Sequence, residues 1–198
     1  MLIISEEKKL EEELELDQLT KQVMNLAYDN SLSKSLMVHG IENHTGMVNY
    51  WMRELSLREP MSINLQKNLI YAISFHDSGR SEEGTDPQHA KRSAEIAKKI
   101  IPHYFPDADL NSIIWGIENH SCLRAPNDAV YGTKKFFPVI DNFEVPDGVN
   151  PLIPSYLWDV DRLDMLRFPG CDKVDERRLS TKVAKEFANS ECHVRAYR

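Results

Sequence analysis

Four separated stretches carry the side chains that could do chemistry. They are His39-Gly-Ile-Glu-Asn-His44, Phe75-His76-Asp77-Ser-Gly-Arg80, Ile117-Glu-Asn-His120 and Trp158-Asp-Val-Asp161-Arg-Leu-Asp164. Histidine and carboxylate together suit a borderline divalent ion such as Mn, Fe, Co, Ni or Zn. None of the four stretches contains a cysteine, which argues against a structural zinc site. Neighbouring residues on a helix point about 100° apart, so His76 and Asp77 converge on one ion only if it lies over their shared edge.

Helices must place these groups, and the apolar spacing predicts where they run. Leu10, Leu14, Leu16, Leu19, Val23 and Leu26 predict a helix over 5–30, and its acidic run Glu11-Glu-Glu-Leu-Glu15 reads as a solvated face. A second helix over 42–57 carries the stripe Met47, Val48, Trp51, Met52 and Leu55, with His44 one turn before Val48. A third over 62–77 puts His76 on the same face as Leu65, Leu69, Ala72 and Ile73, with Ser62 or Asn64 as cap.

Asp86-Pro87 opens a fourth helix with His89 in its first turn, and Pro102 to Pro106 ends it. The fifth, from about Asp107 or Asp109, finishes its stripe Leu110, Ile113, Ile114, Ile117 at His120. The sixth, over 154–168, has Asp161 between Leu157 and Met165 on one face, and an amphipathic helix over 173–190 closes the chain. Residues 121–152 lack a helical period and read as a loop, with room for a short hairpin, of the kind that forms lids or binding loops. The fold class expected is therefore all-α, a single domain over 1–198.

Bulk properties narrow the class of function. The chain has 198 residues, enough for one good core. A net charge of -7 argues against nucleic acid as a partner, while leaving room for a small anionic substrate beside a metal and a few Arg or Lys. No apolar run approaches the roughly 20 residues of a membrane span. The N-terminus has neither the basic nor the long apolar region of a signal peptide. Cys122, Cys171 and Cys192 read as free thiols, and a cytoplasmic location is expected.

The ordered pattern His44, His76-Asp77, Asp161 resembles the HD-domain superfamily of metal-dependent phosphohydrolases. The likeness extends to His39-Gly-Ile-x-x-His44 with Val48, Phe75-His-Asp-Ser-Gly-Arg80, His89-Ala-Lys-Arg-Ser-Ala-Glu-Ile-Ala97, Ile114-x-x-Ile117-x-x-His120-Ser121 and Val160-Asp-Arg-Leu-Asp164, together spanning about 37–168. It departs from the pattern at Ser78, where an aliphatic residue is usual. It also lacks the Glu-Asp pair of enzymes that hydrolyse guanosine tetraphosphate, since Glu82-Glu83 are offset.

The resemblance implies a compact helical bundle with a metal at its centre. It makes His44, His76, Asp77 and Asp161 the metal ligands, His44 taking precedence over His39. His89 and His120 fall where members hold a second metal or contact the leaving group, with His120 and Asp77 then catalytic. Arg80 falls at a phosphate-binding position, and Lys91 and Arg92 are helpers. The cofactor implied is a divalent ion (Mn, Co, Ni, Fe, Mg or Zn), and the reaction is hydrolysis of a phosphate monoester, diester or pyrophosphate, of a nucleotide by preference. Two further readings stand beside it: a di-iron oxygenase using His44, His76, Asp77, His89, His120 and Asp161, and a non-catalytic regulatory module that keeps the pocket. The N-terminal helix is free to pack on its own core or on a second copy in a homodimer.

Overall fold

The structure, a computed structural model, describes residues 6–36, 40–84, 86–121, 139–168, 170–188, 190 and 193, the side chains of 41 and 42 excepted. Every regular element among them is helical: α1 (Glu6–Asn30), α2 (Gly46–Arg58), α3 (Ile63–Phe75), α4 (His89–Tyr104), α5 (Leu110–Asn119), α6 (Leu152–Leu163) and α7 (Lys182–Ala188). A π-helical turn (Ile41–Thr45) precedes α2, and a 3-10 turn (Asp164–Arg167) continues α6. No described helix is long and apolar enough to cross a membrane. His39, Cys122, Cys192 and most of the 121–152 segment lie outside the described residues.

The bundle is organised around α3. Its residues Asn68 to Phe75 are all buried, because α1, α2, α4, α5 and α6 pack around it. An amphipathic surface helix buries one stripe, whereas this one is covered on every side from Asn68 onward, where it is mostly apolar. Ser62 caps its start by accepting from Leu65 N at 3.2 Å. Its far end therefore emerges in the middle of the core, where His76, Asp77 and Ser78 are buried too.

Around α3 the other helices bury what their periodicity predicts. α1 contributes Leu16, Val23 and Ala27 and lies on its own core. Glu15 pairs with Lys67 of α3, and Asp17 with Arg53 of α2. α5 and α6 approach closely at Gly116, where a Cβ would meet Pro154 at 3.4 Å, and Trp158 donates its indole N–H to Gly116 O at 2.8 Å.

Some boundaries differ from the periodicity. α4 runs through Pro102 to Tyr104 instead of stopping at the proline. A proline near the end of a helix removes one hydrogen bond without forcing the last turn apart. The predicted helix over 173–190 is instead a 3-10 turn (Glu176–Arg178) followed by the short α7. Buried Asp159 explains the break: it accepts from Ser180 N, Thr181 N and the Thr181 hydroxyl at 2.6, 2.7 and 2.7 Å, which fixes the chain as a cap at that point.

The turn after α3 is pressed onto α4. Gly79 N donates to Ser93 Oγ at 2.8 Å, and Arg92 Nε donates back to Gly79 O at 2.8 Å. A Cβ on Gly79 would lie 2.3 Å from Ser93 N and 2.7 Å from the carbonyl carbon of Arg92. Both are backbone atoms, so neither can swing aside. Gly79→Ala is expected to lower stability by about 3 kcal/mol, the upper range for overpacking, read from urea unfolding. A loss under about 1 kcal/mol would mean that the turn and α4 separate easily.

Candidate metal centre

Three of the four clustered histidines are held by one local device. His76 Nδ1 donates to Ile73 O at 2.6 Å, His120 Nδ1 to Ile117 O at 2.7 Å, and His89 Nδ1 to Asp86 O, in each case to the residue three back in the chain. His76 and His120 are the C-terminal cap residues of α3 and α5, where the last-turn carbonyls lack an intrahelical donor. The imidazole supplies it. A carbonyl only accepts, so the proton is assigned to Nδ1 and each Nε2 presents a lone pair.

His44 is turned by a carboxylate instead. Its Nδ1 donates to buried Asp164 Oδ2 at 2.6 Å, and Arg167 holds the same oxygen at 2.8 Å. The π-helical turn before α2 swings His44 into the core, and the 3-10 turn after α6 places Asp164 one turn beyond Asp161.

The Nε2 atoms then converge in two pairs, His44 with His76 at 3.1 Å and His89 with His120 at 3.1 Å. Asp77 stands between them. Its Oδ2 lies 3.7 Å from His76 Nε2 and 3.8 Å from His44 Nε2, and its Oδ1 lies 3.3 Å from His89 Nε2 and 3.4 Å from His120 Nε2. Asp161 Oδ1 completes the first group, 3.1 Å from His44 Nε2 and 3.8 Å from His76 Nε2. His44, His76 and Asp161 form one set within reach of a common ion, and His76, Asp77 and His120 form another.

The shorter of these distances suit a metal. Two ligand atoms about 2.1 Å from one ion, at angles of about 90–109°, lie about 3.0–3.4 Å apart. Without a cation, buried lone pairs would face each other unsatisfied, which is costly. Asp77 Oδ1 is buried and has no hydrogen-bond partner, since His89 and His120 offer it only lone pairs. The donor set therefore fits a divalent ion, and the Asp77 carboxylate is shared between its two halves. All members are buried except Asp161, whose side chain is 23% exposed and marks the open side.

Electrostatics agree. Burial, with the neighbouring His120 for His89, pushes His76 and His89 down to about 4, so both are neutral near pH 7. Burial opposes ionisation of Asp77, but His76, His120 and the Arg80 guanidinium outweigh it and hold the carboxyl well below its usual range. Asp161 is held down in the same way, chiefly by His44 and His76. His44 moves the other way. Burial would lower it, yet its hydrogen bonds to Asp161 and Asp164 raise it above an ordinary imidazole.

The remaining expected contacts divide. Arg80 is in the cluster, with Nε 3.0 Å from Asp77 Oδ2. Arg92 is engaged in holding the 79–86 turn, through Gly79 O, Ser81 and Asp86, and Lys91 is exposed on α4. Asp86 fastens the same turn, accepting from Ser81 N, the Ser81 hydroxyl and Gln88 N. The sequence reading assigned no role to Asp164 as the orienter of His44. Its spacing of three from Asp161 was the available signal.

The chain matches no family model, no curated protein and no solved structure.

Asp164→Asn removes the charged acceptor of His44 at little change in size. It is expected to weaken Mn²⁺ binding by about 10- to 100-fold, measured by calorimetry, as loss of a ligand's outer partner does. Unchanged affinity would show that His44 is oriented without it. A second expectation follows from the raised His44. The group keeps its proton at pH values where a free imidazole has lost it, so an ion must displace that proton. Affinity should fall as pH drops from 8 to 6, and calorimetry in two buffers of different ionisation enthalpy should show net proton release. No release would mean that His44 is already neutral.

Proposed function

We propose that the protein is a metal-dependent phosphohydrolase of the HD type, cleaving a phosphate monoester, diester or pyrophosphate, with a nucleotide as the favoured substrate. The observation that carries this reading is the convergence of His44, His76, Asp77 and Asp161 on one point at ion-binding distances, in the chain order of the motifs that resemble that superfamily. A divalent ion held there would supply a bound water ionised near neutral pH and a Lewis acid for a phosphoryl oxygen.

The chain's own residues set the rest. Asp164 keeps His44 in the tautomer that can ligate, and the carbonyls of Ile73, Asp86 and Ile117 do so for His76, His89 and His120. Burial of these groups keeps bulk water away, while the exposed edge of Asp161 leaves an approach for an anionic substrate. Arg80 is the cation nearest the cluster and the natural contact for a phosphate oxygen. His89 titrates at about 4 and is a poor proton donor at neutral pH, which favours a ligand role over that of general acid. We place the protein in the cytoplasm, where nucleotides abound and its cysteines stay reduced.

One observation favours a second reading. The two oxygens of Asp77 face different histidine pairs, the arrangement a bridging carboxylate needs in a two-metal centre. With iron, that geometry suits a di-iron oxygenase using the same six side chains.

A panel of nucleotides and phosphate esters, assayed with Mn, Co, Ni, Mg and Zn, tests the first reading. Asp77→Ala and His44→Ala should each lower kcat/KM by more than about 100-fold, beyond what loss of an outer partner costs. Full activity and metal content in both variants would remove the site proposed. Two irons per chain after anaerobic loading, with no phosphatase activity, would favour the oxygenase.

A further inference from the structure

The two halves of the centre are not equivalent, and Arg80 is the reason. Among the described residues, the ion-pair contacts of Asp161, in the His44–His76 half, are with histidines. Arg80 lies at the seam of the two halves and reaches the His89–His120 half at His89. The Arg80 guanidinium donates to Gly84 O at 3.1 Å through one terminal nitrogen, the other terminal nitrogen lies 3.4 Å from His89 Nε2, and Nε makes an ion-pair contact of 3.0 Å with Asp77 Oδ2, the oxygen on the His44–His76 side. Since the His89 proton is assigned to Nδ1, that last contact runs from the guanidinium to the imidazole lone pair.

The placement is built rather than incidental. The Arg80 side chain is only 11% exposed. Gly84, at φ +82°, turns the chain so that its carbonyl meets the guanidinium, and Asp86 fastens the turn through Ser81 and Arg92. A permanently charged, planar donor thus leans on one of the two imidazoles that a second ion would need, while its ion pair is with the Asp77 oxygen that faces the other half. A second ion would have to displace the guanidinium from His89, and the two charges repel strongly where water is excluded.

We propose that Arg80 is a built-in substitute for the second metal ion, so that the resting protein holds one ion tightly, at His44–His76–Asp77–Asp161. The His89–His120–Asp77 half accepts a second only when the guanidinium leaves. An anionic substrate that draws Arg80 toward its phosphate would open that half, which couples substrate binding to second-ion binding. The inference rests on the metal-centre reading above and refines it.

The test is titration of the metal-free full chain with Mn²⁺ by calorimetry, with bound ions counted by electron paramagnetic resonance. Wild type is expected to take one ion tightly and a second at least tenfold more weakly. Arg80→Met should tighten the second ion at least tenfold and bring out the spectrum of a coupled Mn²⁺ pair. Arg80→Gln, which drops the charge but keeps hydrogen bonding, should give the same gain and covers the case in which the methionine variant fails to fold. Lys98→Met removes an exposed charge from α4 and should change nothing. The proposal is overturned if both Arg80 variants titrate as wild type, or if Lys98→Met reproduces the gain. Those results leave the first ion, and the reading of the centre, intact. Absence of any Mn²⁺ binding in wild type would instead remove the metal centre itself, and this inference with it.

Discussion

The structure depends on a conflict of lone pairs. Four imidazoles commit their Nδ1 protons to fixed acceptors, three to carbonyls and one to Asp164, and so turn their Nε2 atoms toward one another. Two such contacts at 3.1 Å, beside a carboxylate oxygen with no partner, are tolerable only around positive charge. Arg80 supplies some of it, and the raised His44 supplies some in the form of a proton. The remainder of the demand is what a bound cation could meet.

That conflict is imposed by the packing. An α3 whose second half is covered on all sides has to end somewhere, and it ends in the core with three polar residues in succession, His76, Asp77 and Ser78. Orphan carbonyls at the ends of α3 and α5 would be costly there, and the histidines satisfy them. The same hydrogen bonds that complete the helices therefore set the tautomers of the centre. Fold and site share these contacts, and Gly79 lets the α3 end approach α4 closely enough for His89 to join them.

Much of this was legible in the sequence. The stripes ending at His76 and His120, and the inward face carrying Asp161, follow from a 3.6-residue period, and the structure gathers those residues in the core. The seven helices among the described residues fall within or near the segments that the period predicts, α7 filling only part of its segment. What escaped depends on contacts across the chain. Asp159 and Asp164 sit on the same helix or just beyond it as Asp161, and periodicity cannot tell which carboxylate meets an amide and which meets an imidazole. Arg92 looked like Arg80 in sequence, yet its guanidinium is spent on the 79–86 turn because Asp86 folds back within reach. Pro102 misled because a helix end tolerates what its middle does not.

His44 and the Asp164 that orients it are 120 positions apart. Loop-closure entropy grows only with the logarithm of length, so the contact can tie the start of α2 to the end of α6 across most of the chain. During synthesis, the first two-thirds of the chain leaves the ribosome with His44, His76, Asp77, His89 and His120 and no α6 to complete the set. An ion held by His44, His76 and Asp161 together would need α6 in place, because Asp161 comes from that helix.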